Sequence, residues 1–387
     1  MILIAIAIVL FLIYACLIIY YRQSWKQIPL YKDHLSNGQI SSTLISVIIP
    51  ARNEEENISA CLTSVINQTY PKGLFEVIVV DDFSTDGTES IIKSFSKENV
   101  SLISLKDFVK EGELNSYKKK AIEIAISKAK GALIVTTDAD CIVPGSWLQT
   151  IALFYEMHHP AFIAAPVSYF LSPAGERLGV RFLKIFQTLD FMTLQGITAA
   201  SVYKKFHSMC NGANLAYEKK AFLEVGGFRG IDNIASGDDM LLMHKIFERY
   251  PERVMFLKSA AAIVQTKPAN TLKEFLNQRI RWASKADKYT DKKITAVLLL
   301  VYLFNLWILF IGVLSIFYNY TFIWFVGVLI AKTIVELFFL YPIARFFNKE
   351  ILLWWFPVAQ PFHIIYTVIA GWLGKFGSYK WKERKVK

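Results

Sequence analysis

Several carboxylates in this chain stand just after apolar stretches that are typical of buried strands. Asp138 and Asp140 lie two residues apart directly after the stretch ALIVTT, and Asp82 ends the stretch FEVIVVDD. Two hard carboxylate oxygens at this spacing suit Mg²⁺ or Mn²⁺ that bridges phosphate oxygens. Such a pair alone is weak evidence, so it predicts a metal site only together with the motifs that follow.

Two motifs downstream could complete a reaction that transfers a group from a nucleotide diphosphate donor to the hydroxyl of an acceptor. Such a reaction needs a base that takes the proton of the hydroxyl and a group that holds the departing diphosphate. Asp238 and Asp239 precede the apolar stretch MLLMHKIF, where either carboxylate could cap a helix. Alternatively, the second of them takes the acceptor's proton as a general base. In QRIRW, Gln278, Arg281 and Trp282 lie on a predicted helix. Arg281 can pair with diphosphate there and Trp282 can supply a flat wall for a sugar or lipid, although an arginine beside a tryptophan is commonplace on such helices.

Short β-branched stretches alternate with helical periods from Ser46 onward, which is the pattern of a parallel sheet with crossover helices. Ligands of open α/β sheets bind beyond the carboxyl ends of the strands, and Asp81, Asp82, Asp138 and Asp140 are all predicted there. The sequence therefore predicts a doubly wound α/β fold. The predicted strands are 46–50, 75–82 and 132–137, and the predicted helices include 54–67 and 118–130.

The N-terminal stretch of residues 1–20 carries no charge and can cross a bilayer of about 30 Å as one helix. No positive charge precedes it, so we expect an uncleaved anchor rather than a cleaved signal peptide. Arg22 and Lys26 follow directly, which by the positive-inside tendency places the chain after residue 21 in the cytosol.

Two long apolar stretches near the C terminus, 294–318 and 321–344, are predicted to cross the membrane and return. Lys332 and Glu336 lie four residues apart within the second and so share a helix face. Charges at this depth are costly and usually face a bundle interior or a polar path. We therefore expect either a headgroup or helix-packing role, or simple mutual neutralisation.

A third apolar stretch, 351–373, is interrupted by Pro357 and Pro361. If it crossed the membrane, the basic tail 375–387 would lie outside, against the positive-inside tendency. We therefore expect a broken, re-entrant or interfacial segment that leaves the tail in the cytosol.

The stretch 176–206 mixes aromatic and aliphatic residues with scattered arginines and lysines. This is the pattern of an amphipathic helix that lies on a membrane. A helix packed on the core of its own domain would have the same periodicity, and the sequence does not separate the two.

Composition and charge narrow the class of protein. Of the 387 residues, 54% are hydrophobic, which is too apolar for one soluble domain and predicts a mixed architecture. The net charge of +11 could favour nucleic acid, but the basic residues concentrate near apolar segments, so we expect anionic lipid headgroups and no nucleic acid. The four cysteines are far apart and predict neither a disulfide framework nor a zinc site: Cys16, Cys61, Cys141 and Cys210.

The order of the motifs is more specific than any one of them. Over about residues 44–290 the series resembles the family-2 glycosyltransferases of the GT-A fold, especially membrane-bound members such as cellulose, hyaluronan and ceramide glycosyltransferases. The resemblance implies a GT-A catalytic domain with a doubly wound mixed sheet. The motifs that carry it are PARNEEE, VVDDFSTDGT, TDAD, NGANLAY with VGGF, GDD and QRIRW.

The resemblance also implies a role for individual residues. Asp82 would contact the nucleotide base of the donor, and Asp138 would contact the ribose or phosphate side of the donor. Asp140 would bind the metal, and Asp239 would act as the general base in catalysis. Gln278, Arg281 and Trp282 would close the donor and acceptor site. Further residues implied on the donor side are Pro50, Arg52, Glu54 and Lys118, and on the acceptor side Asn211, Gly212 and Asp238.

This chain departs from the family pattern at two places. Gly237, Asp238 and Asp239 stand where many relatives have Thr-Glu-Asp or Glu-Asp. Lys118 matches, by spacing, a lysine that often precedes the metal motif, but Ser116-Tyr117 replaces the usual glycines. The second departure puts a phosphate role of Lys118 in doubt.

The resemblance implies an inverting transfer by single displacement, with UDP as the default nucleotide. A processive polysaccharide synthase needs enough spans to wall a polymer channel, and one copy of this chain has few. We therefore expect transfer of one or a few sugars to a membrane lipid, with a processive synthase as the alternative. A non-catalytic scaffold with a degenerate domain would be expected to lack at least one of the implied site aspartates. All four are present: Asp82, Asp138, Asp140 and Asp239.

The sequence therefore predicts a multi-pass protein of the cell (inner) membrane with a cytosolic catalytic domain. Its expected partners are a nucleotide-sugar donor, a membrane lipid acceptor and the bilayer. The predicted segments are an anchor 1–21, a linker 22–43, a catalytic domain 44–290, a membrane region 291–374 and a basic cytosolic tail 375–387.

Overall fold

The computed structural model describes residues 2–32, 41–171, 177–206, 209–234, 236–285, 291–377, 379–381 and 384–386. The chain divides into two units, which we name the sheet unit and the helical unit. The sheet unit comprises Pro29–Phe170 and Ser208–Lys267, and the helical unit comprises Met1–Ile28, Leu171–His207 and Pro268–Lys387. These bounds differ from the predicted catalytic segment 44–290, because two of its helices belong to the helical unit.

The sheet unit contains nine described strands. They are β1 (Ile45–Ala51), β2 (Phe75–Asp81), β3 (Val100–Ser104), β4 (Leu133–Thr136), β5 (Phe162–Ala164), β6 (Val167–Tyr169), β7 (Leu215–Glu218), β8 (Val254–Phe256) and β9 (Val264–Thr266). Seven form one sheet in the order β3-β2-β1-β4-β7-β5-β8, and β6 pairs with β9. Strand β7 runs antiparallel to both neighbours, while the remaining pairs are parallel. This mixed sheet confirms the predicted α/β class.

The central strands β1, β2 and β4 are buried along almost their whole length. Strands of a parallel sheet covered on both faces are apolar throughout, which is why these three were recognisable in the sequence. Ile48 pairs with Ile78 on one side and Thr136 on the other. Gly131 precedes β4, and a Cβ there would lie 2.4 Å from the backbone nitrogen of Ser46, so only glycine fits. Because β1 pairs parallel with both β2 and β4, the carboxyl ends of the three strands lie at the same edge of the sheet.

Twelve helices are described in the two units. They are α1 (Ile2–Gln27), α2 (Ile58–Ile66), α3 (Thr88–Ser94), α4 (Tyr117–Lys128), α5 (Trp147–His158), α6 (Leu178–Lys204), α7 (Lys219–Glu224), α8 (Met240–Arg249), α9 (Leu272–Ala283), α10 (Lys292–Phe317), α11 (Asn319–Phe346) and α12 (Phe356–Phe376). Helices α2 and α4 confirm the helices predicted at 54–67 and 118–130.

The helical unit is built from α1, α6 and α9 to α12, followed by a hairpin of β10 (Tyr379–Trp381) and β11 (Arg384–Val386). Among the described residues, four helical stretches are long and apolar enough to cross a membrane. They are Ile4–Gln27, Lys292–Phe317, Asn319–Phe346 and Glu350–Phe376. The first three match the predicted spans.

The fourth stretch corrects the prediction of a proline-broken segment. A short 3₁₀ helix over Glu350–Trp355 leads into α12, which continues without a break for 21 residues. Pro357 lies in the first turn, where the missing N–H has no partner in the helix in any case. Pro361 lies inside the helix, but apolar helices of membrane proteins tolerate a proline that neighbouring helices support. That this segment leaves the basic tail in the cytosol stays a prediction.

Helix α6 packs against α1 and α11 within the helical unit. Its residues from Ile185 to Val202 are mostly buried, so its apolar side is covered by other helices of the chain. Of the two interpretations of this stretch, the structure favours a packed helix. Gly196 permits the close approach, because a Cβ there would lie 2.1 Å from Ile343 of α11.

The charged pair of α11 is buried and holds helices together. Lys332 Nζ lies 2.6 Å from Glu336 Oε1, and the two side chains are 0% and 7% exposed. Glu336 also accepts hydrogen bonds from Tyr14 of α1 and, at 2.6 Å, from Gln360 of α12. The pair therefore links three helices, which favours the helix-packing role among the predicted alternatives.

Candidate active site

The acidic pair Asp138 and Asp140 follows β4 at the edge where the central strands end. One carboxylate oxygen of each, together with the buried Sγ of Cys141, lies within 4.8 Å of the others. Thr266, the last residue of β9, donates its hydroxyl to Asp140 Oδ2 at 3.3 Å. The two carboxylates therefore face a common point, and hard oxygens so placed fit a magnesium or manganese ion.

Lys118 connects the two acidic motifs. Its Nζ lies 2.8 Å from Asp138 Oδ1 and 3.0 Å from Asp238 Oδ2. Burial lowers the pKa of Lys118, but the carboxylates of Asp138 and Asp238 raise it above its ordinary value. The amine is therefore a permanent positive charge between them. Because the lysine is on α4 and Asp238 precedes α8, this contact joins parts of the chain 120 residues apart.

Asp239 is held by two backbone N–H groups. Its Oδ1 accepts from Met240 at 2.7 Å as the N-cap of α8, and its Oδ2 accepts from Gly212 at 3.1 Å. Asp239 therefore caps helix α8, and the same two contacts fix the orientation of its carboxylate. Gly237 adopts a φ of +82°, a conformation that favours glycine, and this turn presents the carboxylate pair ahead of the helix.

Gly212 lies directly against the acidic pair. A Cβ at this position would lie 3.5 Å from Asp238 Oδ2, from Asp239 Cβ and from Lys118 Nζ. Its neighbour Asn211 accepts a hydrogen bond from Ala213 N at 2.9 Å, which shapes the turn before β7. Of the predicted acceptor-side residues, Gly212 and Asp238 therefore lie beside Lys118 in the sheet unit.

The predicted donor-side residues near β1 and β2 form a second cluster. Arg52 is 8% exposed and donates from Nη1 to the carbonyl oxygen of Asp82 at 2.8 Å, with Asp82 Oδ1 3.8 Å away. Glu54 donates its backbone N–H to Thr88 Oγ1 at 2.8 Å, which fixes the loop after β1. Pro50 pairs with Val80 inside the sheet, so it shapes the strand rather than presenting a polar group.

Sequence reasoning missed two residues that support the DAD motif (Asp138–Asp140), namely Cys61 and Thr266. It placed Asp81 at the strand edge but did not give it a structural role. Asp81 is 2% exposed and accepts from Ser84 N at 3.2 Å, so it braces the loop beside Asp82. Cys61 of α2 lies under the motif, where its Sγ contacts the carbonyl oxygen of Asp138 at 3.6 Å. Thr266 reaches Asp140 only because β9 pairs with β6, and no local pattern indicates that pairing.

The QRIRW residues lie on α9 in the helical unit. Gln278 accepts from Arg279 Nη1 at 3.0 Å, and the carbonyl oxygen of Arg281 accepts from Ser284 Oγ at 2.9 Å. The ring of Trp282 lies under the guanidinium of Arg279, 4.2 Å from ring centroid to Cζ. The predicted helix is confirmed, and the roles of Gln278, Arg281 and Trp282 at the donor and acceptor site stay predictions.

Residues 46–225 match the profile of the family described as "Glycosyl transferase family 2". The chain carries a glycosyl transferase family 2 domain. The matched range contains the whole DAD motif, Lys118 and Gly212, and it ends before the acidic pair that precedes α8. The predicted family is therefore confirmed for residues 46–225.

The fold of the family 2 domain agrees with a solved structure of mannosyltransferase PcManGT from Pyrobaculum calidifontis in complex with GDP-Man and Mn²⁺. The TM-score is 0.57 at 19% identity, and the match covers 96% of this chain and 99% of that one. At this identity the likeness shows the fold, and it confirms the predicted GT-A class.

Curated relatives of the family 2 domain share shorter regions. Glycosyltransferase AglE of Haloferax volcanii is 40% identical over 112 residues, which are 28% of this chain and 35% of that protein. The beta-monoglucosyldiacylglycerol synthase of Nostoc sp. is 24% identical over 255 residues, 65% of this chain and 51% of that protein. The chain thus spans between about a third and a half of the length of these two relatives.

Proposed function

We propose that this protein transfers a sugar from a nucleotide-sugar donor to the hydroxyl of a membrane lipid. The observation that carries the proposal is the convergence of Asp138, Asp238 and Asp239 on Lys118 and Gly212, from parts of the chain that are remote in sequence. Asp140 lies beside Asp138 in the same motif. Packing alone does not favour this arrangement, because one lysine does not neutralise four neighbouring carboxylates that repel each other. A site that handles a cation and a diphosphate needs such a group.

The donor side of the site is assigned to Asp82 with Arg52, to Lys118 and to the DAD motif. Asp138 and Asp140 would hold Mg²⁺ or Mn²⁺, which when bound offsets negative charge on the departing diphosphate. Lys118 supplies a second positive charge beside Asp138, so it supports phosphate binding despite the missing glycines before it. The resemblance implies UDP as the nucleotide.

Asp239 is assigned as the general base. Its two carboxylate oxygens are oriented by backbone N–H groups that substrate binding need not move, so the base is positioned in advance. It would take the proton of the acceptor hydroxyl as that oxygen attacks the anomeric carbon. A single attack of this kind inverts the configuration at the carbon and requires no covalent enzyme intermediate.

A lipid acceptor is supported by the helical unit and by one relative. Among the described residues, four stretches are long and apolar enough to cross a membrane, so a lipid hydroxyl is an acceptor that a chain held in the bilayer can meet. The Nostoc relative is named as a synthase of a glucosyl diacylglycerol, and its likeness covers 65% of this chain. We place the site on the cytosolic face of the cell membrane, because Arg22 and Lys26 follow the first helix.

The direct test is transfer by the purified full-length protein. The protein in detergent is given labelled UDP-sugars and GDP-sugars in turn, together with a total lipid extract and Mn²⁺. Label in the chloroform-soluble fraction is the expected result. Label in an insoluble polymer would replace the lipid acceptor with a processive synthesis, and no transfer from any donor would overturn the proposal.

A further inference from the structure

Arg279 lies inside the QRIRW motif, yet its side chain is almost entirely withdrawn from water. It is 4% exposed, and its partner Asp190 of α6 is 3% exposed. We propose that Asp190 and Arg279 are a positioning pair that holds Trp282 and Gln278 in the orientation the acceptor requires. This inference rests on the proposed function and on the prediction from the sequence that Trp282 belongs to the acceptor side.

The pair is fixed from two helices other than α9. Arg279 Nη2 lies 2.5 Å from Asp190 Oδ2, and the hydroxyl of Tyr366 of α12 donates to Oδ1 of the same carboxylate. His363 Nε2 of α12 lies 3.7 Å from that Oδ1. A buried ion pair with both carboxylate oxygens engaged is directional, because its charges lose a great deal if they separate. Arg279 therefore has one available geometry.

From that geometry Arg279 contacts two residues of the motif. Its Nη1 donates to Gln278 Oε1 at 3.0 Å, and its guanidinium carbon lies 4.2 Å from the centroid of the Trp282 ring. A guanidinium at this distance over an indole is a cation–π contact. Trp282 is half-buried, so one side of the ring is held while part of it stays exposed. Phe275 lies on the same helix face, with its ring centroid 4.8 Å from the guanidinium.

The helix itself has a separate means of attachment. Ile280 packs with Ala370 and Tyr366 in a small apolar cluster between α9 and α12. A Cβ on Gly374 would lie 2.6 Å from Cβ of Ala283, so the two helices approach closely there. These contacts use the ring of Tyr366 rather than its hydroxyl, and they do not involve the side chain of Arg279. Helix α9 can therefore stay packed on α12 when Arg279 is changed conservatively.

The alternative is that Asp190 and Arg279 have only a structural role and stabilise helix packing, as Lys332 and Glu336 do. The two roles separate in the variant Arg279→Lys, which keeps the charge but loses the planar group that stacks on Trp282. The positioning role predicts that KM for the acceptor rises about tenfold, while KM for the donor changes less than about twofold. Glu336→Gln, which breaks the other buried pair, is expected to lower the melting temperature and leave the acceptor KM unchanged.

A double-mutant cycle tests the coupling to the ring. In a Trp282→Ala background, Arg279→Lys is expected to raise the acceptor KM by less than about twofold, because of the two groups it positions only Gln278 remains. Equal effects of Arg279→Lys with and without Trp282 would overturn the inference. A tenfold rise in both KM values together would overturn it as well, since that indicates general loss of structure.

A readout without activity keeps the inference distinct from the proposed function. The nine tryptophans are labelled as 5-fluorotryptophan, and the ¹⁹F resonance missing in Trp282→Phe identifies Trp282. Arg279→Lys and Tyr366→Phe are expected to shift that resonance and leave the other eight in place. If the wild type transfers no sugar but the resonance shifts, the proposed function fails and the coupling of the pair to Trp282 stands. If transfer occurs and the resonance does not move, the inference fails alone.

Discussion

Lys118 Nζ lies 2.8 Å from Asp138 Oδ1, at the first carboxylate of the DAD motif. A lysine amine is thus placed where a cation and a diphosphate are proposed to bind, and it is shared with Asp238 at 3.0 Å. In the protein without ligand, Lys118 balances carboxylates that would otherwise repel each other. Substitution of Lys118 should therefore have one effect on the affinity for the cation and a different effect on transfer from the donor.

We predict that Lys118→Met binds Mn²⁺ more tightly than the wild type but transfers sugar at least about tenfold more slowly. The affinity rises because a positive charge beside Asp138 is lost, and the rate falls because a charge-assisted contact to phosphate is lost. Calorimetric titration with Mn²⁺ and the rate of label transfer measure the two effects. Lys118→Arg, which keeps the charge, is the matched control, and unchanged affinity and rate in Lys118→Met would contradict the assignment.

Removal of divalent cations should stop transfer. We expect excess EDTA to abolish activity and added Mn²⁺ or Mg²⁺ to restore it, and we expect Asp140→Asn to lower the rate at least about 100-fold. Thr266→Val is the control, because it removes only the 3.3 Å hydroxyl contact to Asp140. Full rates in excess chelator would remove Asp138 and Asp140 from a metal site.

Two thiols beside the DAD motif should resist alkylation. Cys61 and Cys141 are 1% and 0% exposed, and burial, followed by the charges of Asp140 and Asp138, raises the pKa of each thiol. At pH 8 the thiolate fraction is therefore smaller than in an ordinary cysteine. Iodoacetamide at this pH should modify the partly exposed Cys210 and leave these two unmodified until guanidinium unfolds the sheet unit. Peptide mass spectrometry gives the sites, and rapid labelling of Cys141 in the native protein would contradict the structure.

The close approach at Gly131 gives a stability test away from the site. Gly131→Ala should destabilise the protein by about 1–3 kcal/mol, because the new methyl group would lie 2.4 Å from the backbone of Ser46. Gly73→Ala is the matched control, since nothing lies within 4 Å of its added Cβ. Thermal unfolding followed by circular dichroism compares the two variants. Equal melting temperatures would mean that β1 and Gly131 are not packed as described.

Much of the fold was predictable because the central strands are apolar on both faces and two of them, β2 and β4, lead into aspartates. Burial on both faces makes β1, β2 and β4 visible as continuous apolar stretches, and the parallel arrangement brings their ends to one edge. The sequence alone therefore places Asp82, Asp138 and Asp140 at that edge. The contact between Lys118 and Asp238 depends on how α4 and α8 pack, and local pattern does not encode that.

Two features of the helical unit could not be predicted from the sequence, for different reasons. Pro361 was expected to break its segment, but the neighbours of a packed apolar helix can support the carbonyl that a proline leaves without a donor. The pair of Asp190 and Arg279 had a weak local signal, since Asp190 is the one acidic residue among the described residues 178–204. A lone carboxylate in a buried helix requires a cation, yet only the packing of α6 beside α9 identifies which one.

The assignment of Asp239 as the base is the central claim, and one substitution tests it most directly. Asp239→Asn keeps the shape of the side chain and an oxygen that can accept from Gly212 or Met240, but it cannot take a proton. Asp238→Asn is the matched control at the adjacent carboxylate. Sugar transfer and donor affinity are measured on the same preparations, the latter by calorimetric titration with the nucleotide sugar. We predict that Asp239→Asn loses at least about 100-fold in rate while donor affinity stays within about threefold. Transfer at the rate of the wild type in Asp239→Asn would contradict the account.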